Sequence, residues 1–316
     1  MKFRRSAPLI LITATAFVIV AASIISSLLF TRMISSVEEK QFSLMHSIVA
    51  FSLEGAEDRA LARAALIADL PKARALFAAR DRAGLLAEYS KMFTDQKEKY
   101  GVAQAQFHLP PATSFLRLQT PADFGDDLTK FRPIVVAVNR DQISRKGFAI
   151  ARSGPAIFGV VPMFDPQEKP IGSFEVGIAF NDVLDSLKNS YNIETAVFID
   201  ETSLHEFATG IDPGVFSDQN RVGKFIRFHS TNAAVFQSLV SDKDLNATDN
   251  TQYTREALGV TYGIVLVPLR NGAGDVIGMM AATSDFSASR SSRKRAFVWQ
   301  ALIALFSIVL LAGVTR

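Results

Sequence analysis

The chain has 316 residues, 48% hydrophobic and 21% charged, which is apolar for a soluble protein and too polar for a polytopic transporter; a few membrane spans carrying a large globular part fit best. A net charge of +3 gives no case for nucleic acid as a partner. With no cysteine, disulfides, zinc–thiolate sites and covalently attached haem are excluded, and stability must come from burial.

In chain order, Lys2, Arg4 and Arg5 open a short basic segment, residues 1–6, of the kind that stays in the cytoplasm. The uncharged run 7–30 follows, matching the roughly 20 apolar residues a helix needs to cross the hydrocarbon. A cleaved signal peptide is the rival reading, given the small residues Ala21, Ala22 and Ser23, but the run exceeds the ~7–15 residues of a signal core. Residues 31–68 lack Gly and Pro apart from Gly55, and Phe30, Ile34, Val37, Gln41, Leu44, Ile48 and Phe51 alternate spacings of four and three. That heptad stripe predicts a long stalk helix that either pairs with its twin in a dimer or packs on its own domain.

A second helix is expected from Asp81, a candidate N-cap, through Leu85, Leu86, Tyr89 and Phe93. After Gly101 short β-like runs take over: VAQAQFHL, SFLRL, GFAIAR, AIFGVVPMF and GSFEVGIAF. Between the second and third, Leu128, Phe131, Val135 and Val138 suggest a helix that Pro133 either kinks or starts. Residues 57–190 therefore read as one domain. A shorter one, 191–286, has strands at ETAVFID, KFIRF, TREAL, YGIVLVPL and VIGMMAATS and a helix at NAAVFQSLV. A second uncharged run, 296–315, predicts another span; Arg290, Arg293, Lys294 and Arg295 precede it, on the side this topology places outside.

An internal repeat ties the two domains together. VPMFDPQEKPIG from Val161 aligns without gaps on VPLRNGAGDVIG from Val267, matching Val161/Val267, Pro162/Pro268, Ile171/Ile277 and Gly172/Gly278. Each copy reads as a β-hairpin followed by a helix-forming segment, NDVLDSLKNSY or DFSASRSSRKR. Five mostly antiparallel strands with helices on one side, twice over, is an α+β sensor-type layout.

The segments Phe107–Arg132, FHLPPATSFLRLQTPADFGDDLTKFR, and Phe158–Gly177, FGVVPMFDPQEKPIGSFEVG, resemble the double Cache family, the extracytoplasmic sensory domains of bacterial chemoreceptors and sensor kinases. The first segment carries the specificity, in its order of His, Pro-Pro, Arg, Gly-Asp-Asp and Arg; topology extends the resemblance over nearly the whole chain. It implies two PAS-like Cache domains, mostly antiparallel sheets with flanking helices, on a long N-terminal helix between two transmembrane helices. It also implies a membrane-distal domain that binds a small molecule and a membrane-proximal one that relays the event. A HAMP linker and output module are implied after the second span. The sequence stops at Arg316, so the expectation is a sensor that is part of a longer receptor or that signals through a separate protein.

Catalytic and cofactor apparatus is not legible, and neither enzymatic activity nor a cofactor is expected. His46, His108, His205 and His229 are scattered with no HExxH, and GxSxG, P-loop and dinucleotide fingerprints are missing. Adjacent Asp126 and Asp127 suit capping of a helix beginning there better than a catalytic pair.

The basic residues of the distal domain point to binding. Period-two alternation in SFLRL places Phe115 and Arg117 on one face and Leu116 and Leu118 on the other. If the leucines face the helices, the Arg117 fork is placed to take a carboxylate or phosphate. Arg132, Arg140 and His108 add charge, Phe107, Phe131 and Phe158 offer walls, and Glu175 is a candidate for an amine. The competing reading has Arg117 or Arg132 clamped internally by Asp123, Asp126 or Asp127. The expectation is a two-pass sensor of the bacterial inner membrane, its sensory region in the periplasm, binding a small metabolite with a carboxylate favoured. A homodimer and a cytoplasmic signalling module are its expected partners. The alternative is a membrane protein whose ligand-free Cache fold serves partner binding or dimerisation.

Overall fold

A computed structural model describes residues 3–314 other than Ala273, with side-chain environments given outside residues 3–12, 289, 293, 294, 308 and 310–314. Met1, Lys2, Thr315 and Arg316, to which the basic start and the end of the second span were assigned, lie outside the described residues. Contacts divide the chain into two units: Met1–Leu44 with Thr254–Gly263 and Ser284–Arg316, and Met45–Tyr253 with Ile264–Thr283.

Helix α1 runs unbroken over Phe3–Ala68, 66 residues, and after Pro8 it contains no proline and no glycine but Gly55, the two residue types that most disfavour a helix interior. Among the described residues it is the helix long and apolar enough to cross a membrane, and its most apolar window is not buried. The heptad stripe expected for it is divided. Ile34 is buried, along with Phe42, Met45, Val49 and the four-residue ridge Ala56, Ala60, Ala64 and Ala68, whereas Val37, Leu44 and Phe51 are exposed. The ridge of alanines is what a close approach requires. A Cβ on Gly159 would lie 2.2 Å from the backbone nitrogen of Leu61, so only glycine lets the strand pass the helix there.

In the second unit, α2 (Pro71–Ala78) and α3 (Arg82–Tyr100) follow α1. The Asp81 side chain caps α3 by accepting from Gly84 N at 2.8 Å, and Gly101 at φ 68° ends it in the left-handed conformation. Five strands then build a sheet of order β2-β1-β5-β4-β3: β1 Val102–Leu109, β2 Thr113–Arg117, β3 Arg145–Ala151, β4 Gly154–Phe164 and β5 Pro170–Ala179, paired antiparallel. Helix α4 begins at Pro133 and runs to Asp141, so the proline marks a start, its missing N–H being one no helix start needs.

The two faces of this sheet differ in chemistry. Ala105, Phe107, Leu116, Leu118, Met163, Phe174 and Val176 pack with α1, α2 and α3 into one apolar core. Across the pleat β1 presents Gln104, Gln106 and His108, beside Ser114 and Arg117 of β2 and Ser173 and Glu175 of β5, all buried. Register sets the rows: Gln106 stands opposite both Arg117 and Glu175, and His108 opposite both Ser114 and Ser173. Toward the β4 side of that polar face, α4 adds Ile134, Val135 and Val138 to a smaller core with Phe158 and Val160.

After α5 (Phe180–Tyr191), a second sheet has order β7-β8-β6-β11-β10-β9. Its strands are β6 Glu194–Asp200, β7 Arg221–Val222, β8 Phe225–Ser230, β9 Thr251–Ala257, β10 Val260–Arg270 and β11 Val276–Asp285. Six strands replace the expected five because the two-residue β7 is too short to leave a periodic trace. Both repeated hairpins are present: β4 neighbours β5, and β10 neighbours β11. Helix α6 (Glu201–Phe207) directly follows β6, and α7 (Ala233–Leu239) and the single turn α8 (Asp242–Leu245) follow β8.

In the first unit, helix α9 covers Ser287–Val314 after β11. Phe286 packs on Phe42 with ring centroids 4.9 Å apart, and Arg290 donates from Nε to Glu38 at 3.0 Å and from Nη2 to Thr254 at 2.9 Å.

Candidate ligand-binding site

The polar sheet face owes its first feature to a bulge. Phe107 pairs with Leu116 but His108 pairs with Ser114, so Phe115 is one residue too many on β2. The bulge breaks the alternation expected for SFLRL. Phe115 joins Leu116 and Leu118 on the helix side, 5.3 Å from the Phe77 ring, while Arg117 faces the other way with Ser114. The segment after β2 then folds back along it: Gly125 N donates to Ser114 O, Ser114 N to Asp126 O, and Leu128 N to Ala112 O.

That return path decides the role of the two adjacent aspartates. No helix begins at them; α4 starts at Pro133. Asp126 forms a two-pronged pair with Arg117, both contacts at 2.7 Å, and Asp127 accepts from Thr129 N at 2.8 Å in a turn of its own. Capping, expected from the sequence, would have required a helix starting at residue 128, whereas residues 125–128 pair back along β2 and 129–131 form a turn. Arg117 donates further to Asp123 O at 2.9 Å.

Arg132 makes the second such pair, to Glu175 at 3.1 and 2.6 Å, and lies 4.1 Å from the centroid of the Phe158 ring. His108 Nε2 stands 3.4 Å from Glu175 Oε2, the oxygen that Arg132 Nη2 also meets. Burial by itself raises the Glu175 carboxyl, but Arg132 and then His108 outweigh it and hold it below the usual carboxylate range. Hydrogen bonds from Arg117 hold Asp126 low as well.

Above this face lies a cavity of about 410 Å³, within the size range of small-ligand clefts. Its floor is Gln104, Gln106, Arg117 and Arg132; Gln119, Asp123, Asp126, Leu128 and Phe131 of the returning segment form one wall. Ile150, Ala151, Arg152 and Ser153 form another, and Glu206, Phe207, Thr209 and Gly210, at and after the end of α6, close it from the second sheet's side. Phe131 meets Phe207 edge to face with centroids 5.5 Å apart, and Gly210 N donates to Arg152 O at 2.8 Å.

Of the candidate residues, Arg117, Phe131 and Arg132 thus line one cavity. Glu175, His108 and Phe158 are fully buried around Arg132. Phe115 lies on the opposite face, and Arg140, exposed and paired with Asp141 at 2.6 Å, is not in the lining. Sequence reasoning passed over Gln104, Gln106 and Gln119. The first two were accessible to it, since Gln104, Gln106 and His108 recur with period two along one strand.

The profile of the family described as a double sensory domain of two-component sensor kinases, dCache_3, matches residues 36–279. The chain belongs to the double Cache family. No curated protein matches it. Among solved structures, the sensor domain of the V. cholerae histidine kinase DctB aligns at 12% identity over 79% of this chain and 98% of that one, with a TM-score of 0.46. The ligand-binding domain of the Campylobacter jejuni chemoreceptor Tlp3, in complex with L-valine, aligns at 11% identity over 81% and 97%, with a TM-score of 0.44. The double Cache fold is here two antiparallel sheets with flanking helices on a long N-terminal helix.

The two arginine–carboxylate pairs make the domain acid-sensitive in a defined direction. Asp126 and Glu175 titrate lower folded than unfolded. Their stabilisation is therefore fully present above the unfolded value of about 4, and is lost as pH falls through the folded values. The thermal midpoint, followed by circular dichroism, is expected to drop as the pH is taken below about 4. Asp126→Asn is expected to flatten that drop; an unchanged slope would remove Asp126 from the explanation.

Proposed function

We propose that this double Cache protein is a membrane-anchored extracytoplasmic sensor that captures a small metabolite in the cavity over the polar sheet face and passes the event to α9. The observation that carries this reading is the makeup of the cavity wall. Elements of the first sheet's module and residues at and after the end of α6, which directly follows a central strand of the second sheet, surround the same space. Strand β6 is paired with β11 from Glu194 opposite Thr283 to Ile199 opposite Gly278, and α9 follows β11 in the chain. A ligand that draws Glu206 and Phe207 inward biases this route, provided it binds one arrangement better than the other.

The topology that suits this role has α1 and α9 crossing a bacterial inner membrane, with the sensory region in the periplasm. A HAMP linker and output domain, or a separate signalling protein, receives the signal. Val37, Leu44 and Phe51, exposed at seven-residue intervals on α1, support pairing of that helix with its twin in a homodimer. The role is binding and not catalysis. The carboxylate ligand favoured by the sequence finds both buried guanidinium forks occupied by Asp126 and Glu175, and would have to displace one of them.

The test is a thermal-shift screen of the full chain in detergent micelles against organic acids, amino acids, amines and nucleobases. A true ligand at ~100 times its dissociation constant adds about 2.7 kcal/mol, several degrees for a body of this size. Silence across all four classes would favour a ligand-free fold that serves partner binding.

A further inference from the structure

The charges around the cavity cancel in pairs. Arg117 is matched by Asp126 at 2.7 Å, Arg132 by Glu175 at 2.6 Å, Arg152 by Asp123 at 3.4 Å, and Glu206 by Lys130 at 3.4 Å. Two of the cations, Arg117 and Arg132, are almost wholly buried, and an anion seated beside them would have to take over from a carboxylate of the protein. A charged ligand would enter an already neutral site and leave one ion without a partner, which is costly.

Uncharged hydrogen-bonding groups remain. Gln104 uses its NH₂ on Ser153 Oγ at 2.7 Å and Gln106 uses its NH₂ on Ser114 Oγ at 2.8 Å, while Gln119 uses its carbonyl to accept from Ala105 N at 3.1 Å. The carbonyls of Gln104 and Gln106 and the NH₂ of Gln119 have no further partner among the described residues, so the lining keeps two acceptors and a donor. Phe131 and Phe207 add an aromatic corner. Carboxamides that match a donor–acceptor edge, together with aromatic faces that stack on a flat ring, are the chemistry by which proteins hold a nucleobase.

We infer that the ligand of this cavity is a neutral planar heterocycle of the nucleobase type, read along its edge by Gln104, Gln106 and Gln119 and packed against Phe131 and Phe207. The inference rests on the cavity being the sensory site, and it makes α6 of the second module a direct contributor to recognition through Phe207.

The experiment is a titration of the full chain in micelles with uracil, cytosine, adenine and hypoxanthine, and in parallel with succinate and malate, read by calorimetry and by the thermal midpoint. At least one base is expected to bind and to raise the midpoint. Its affinity should hold constant from about 0.05 to 0.5 M salt, since a neutral ligand has no charge to screen. Phe207→Ala, at a partly exposed position that is expected to leave folding intact, should weaken the base about tenfold, the worth of one stacking contact. Gln119→Leu should do likewise, while Arg140→Ala, away from the cavity, should not. Binding of succinate or malate with strong salt dependence, and of no base, would overturn the heterocycle and leave the sensory cavity standing. If neither panel binds, the heterocycle is overturned, and the sensor reading falls with it only when the wider screen is silent too. Base binding that survives both cavity substitutions would place the ligand elsewhere and overturn the assignment.

Discussion

Glu175→Ala is expected to lower the thermal midpoint of the full chain by roughly 10 °C. The carboxylate is fully buried, and with it removed the Arg132 guanidinium is left in the interior with an uncompensated charge. Breaking a buried pair on one side typically costs about 3–5 kcal/mol, and a domain of this size loses about 2–4 °C for each kcal/mol. The cost belongs to the orphaned cation, not to the attraction of the pair. A double replacement, Arg132→Met with Glu175→Leu, is therefore expected to recover most of the loss, because apolar groups of similar volume satisfy the same space. Circular dichroism melts of the single and double variants decide it. A single variant as stable as the parent would mean that water or His108 shelters Arg132, and a double variant no better than the single would mean that the pair itself holds the sheet.

Phe107→Ala is expected to cost about 3–5 kcal/mol. Its ring is fully buried between α2, α3 and β5, with centroids 4.5 Å from Phe174, 5.4 Å from Phe77 and 6.5 Å from Tyr89. Those neighbours are themselves anchored by helix packing and strand pairing, so the space left behind closes poorly and the cavity penalty adds to the lost burial. A melt shifted by only a degree or two would show that α2 and α3 collapse into the gap. The exposed Arg140→Ala, by contrast, should stay within about 0.5 kcal/mol of the parent.

Much of the fold was readable before any coordinates. VAQAQFHL coincides with β1 residue for residue, Asp81 and Gly101 bracket α3, and the repeated hairpin is present in both sheets. These are local signals, carried by alternation, capping and turn chemistry within a few residues. The candidate site was readable in part. Arg117, Phe131 and Arg132 come together as a local motif suggested, whereas Phe115 did not, because a bulge depends on which residue of the neighbouring strand each one meets.

What the sequence by itself determined is the uncharged run 7–30 within α1, the two-sheet α+β plan, and the alternation that sets Gln104, Gln106 and His108 on one face of β1. Each follows from periodicity and residue type along a single stretch of chain. Tertiary structure alone decided which charges cancel and what closes the cavity. Arg132 finds its carboxylate 43 residues away, and Phe207 reaches Phe131 from another module. A guanidinium in a sequence has many possible acids within reach of a folded chain, and only the register of β1 with β5 and the placement of α6 select among them.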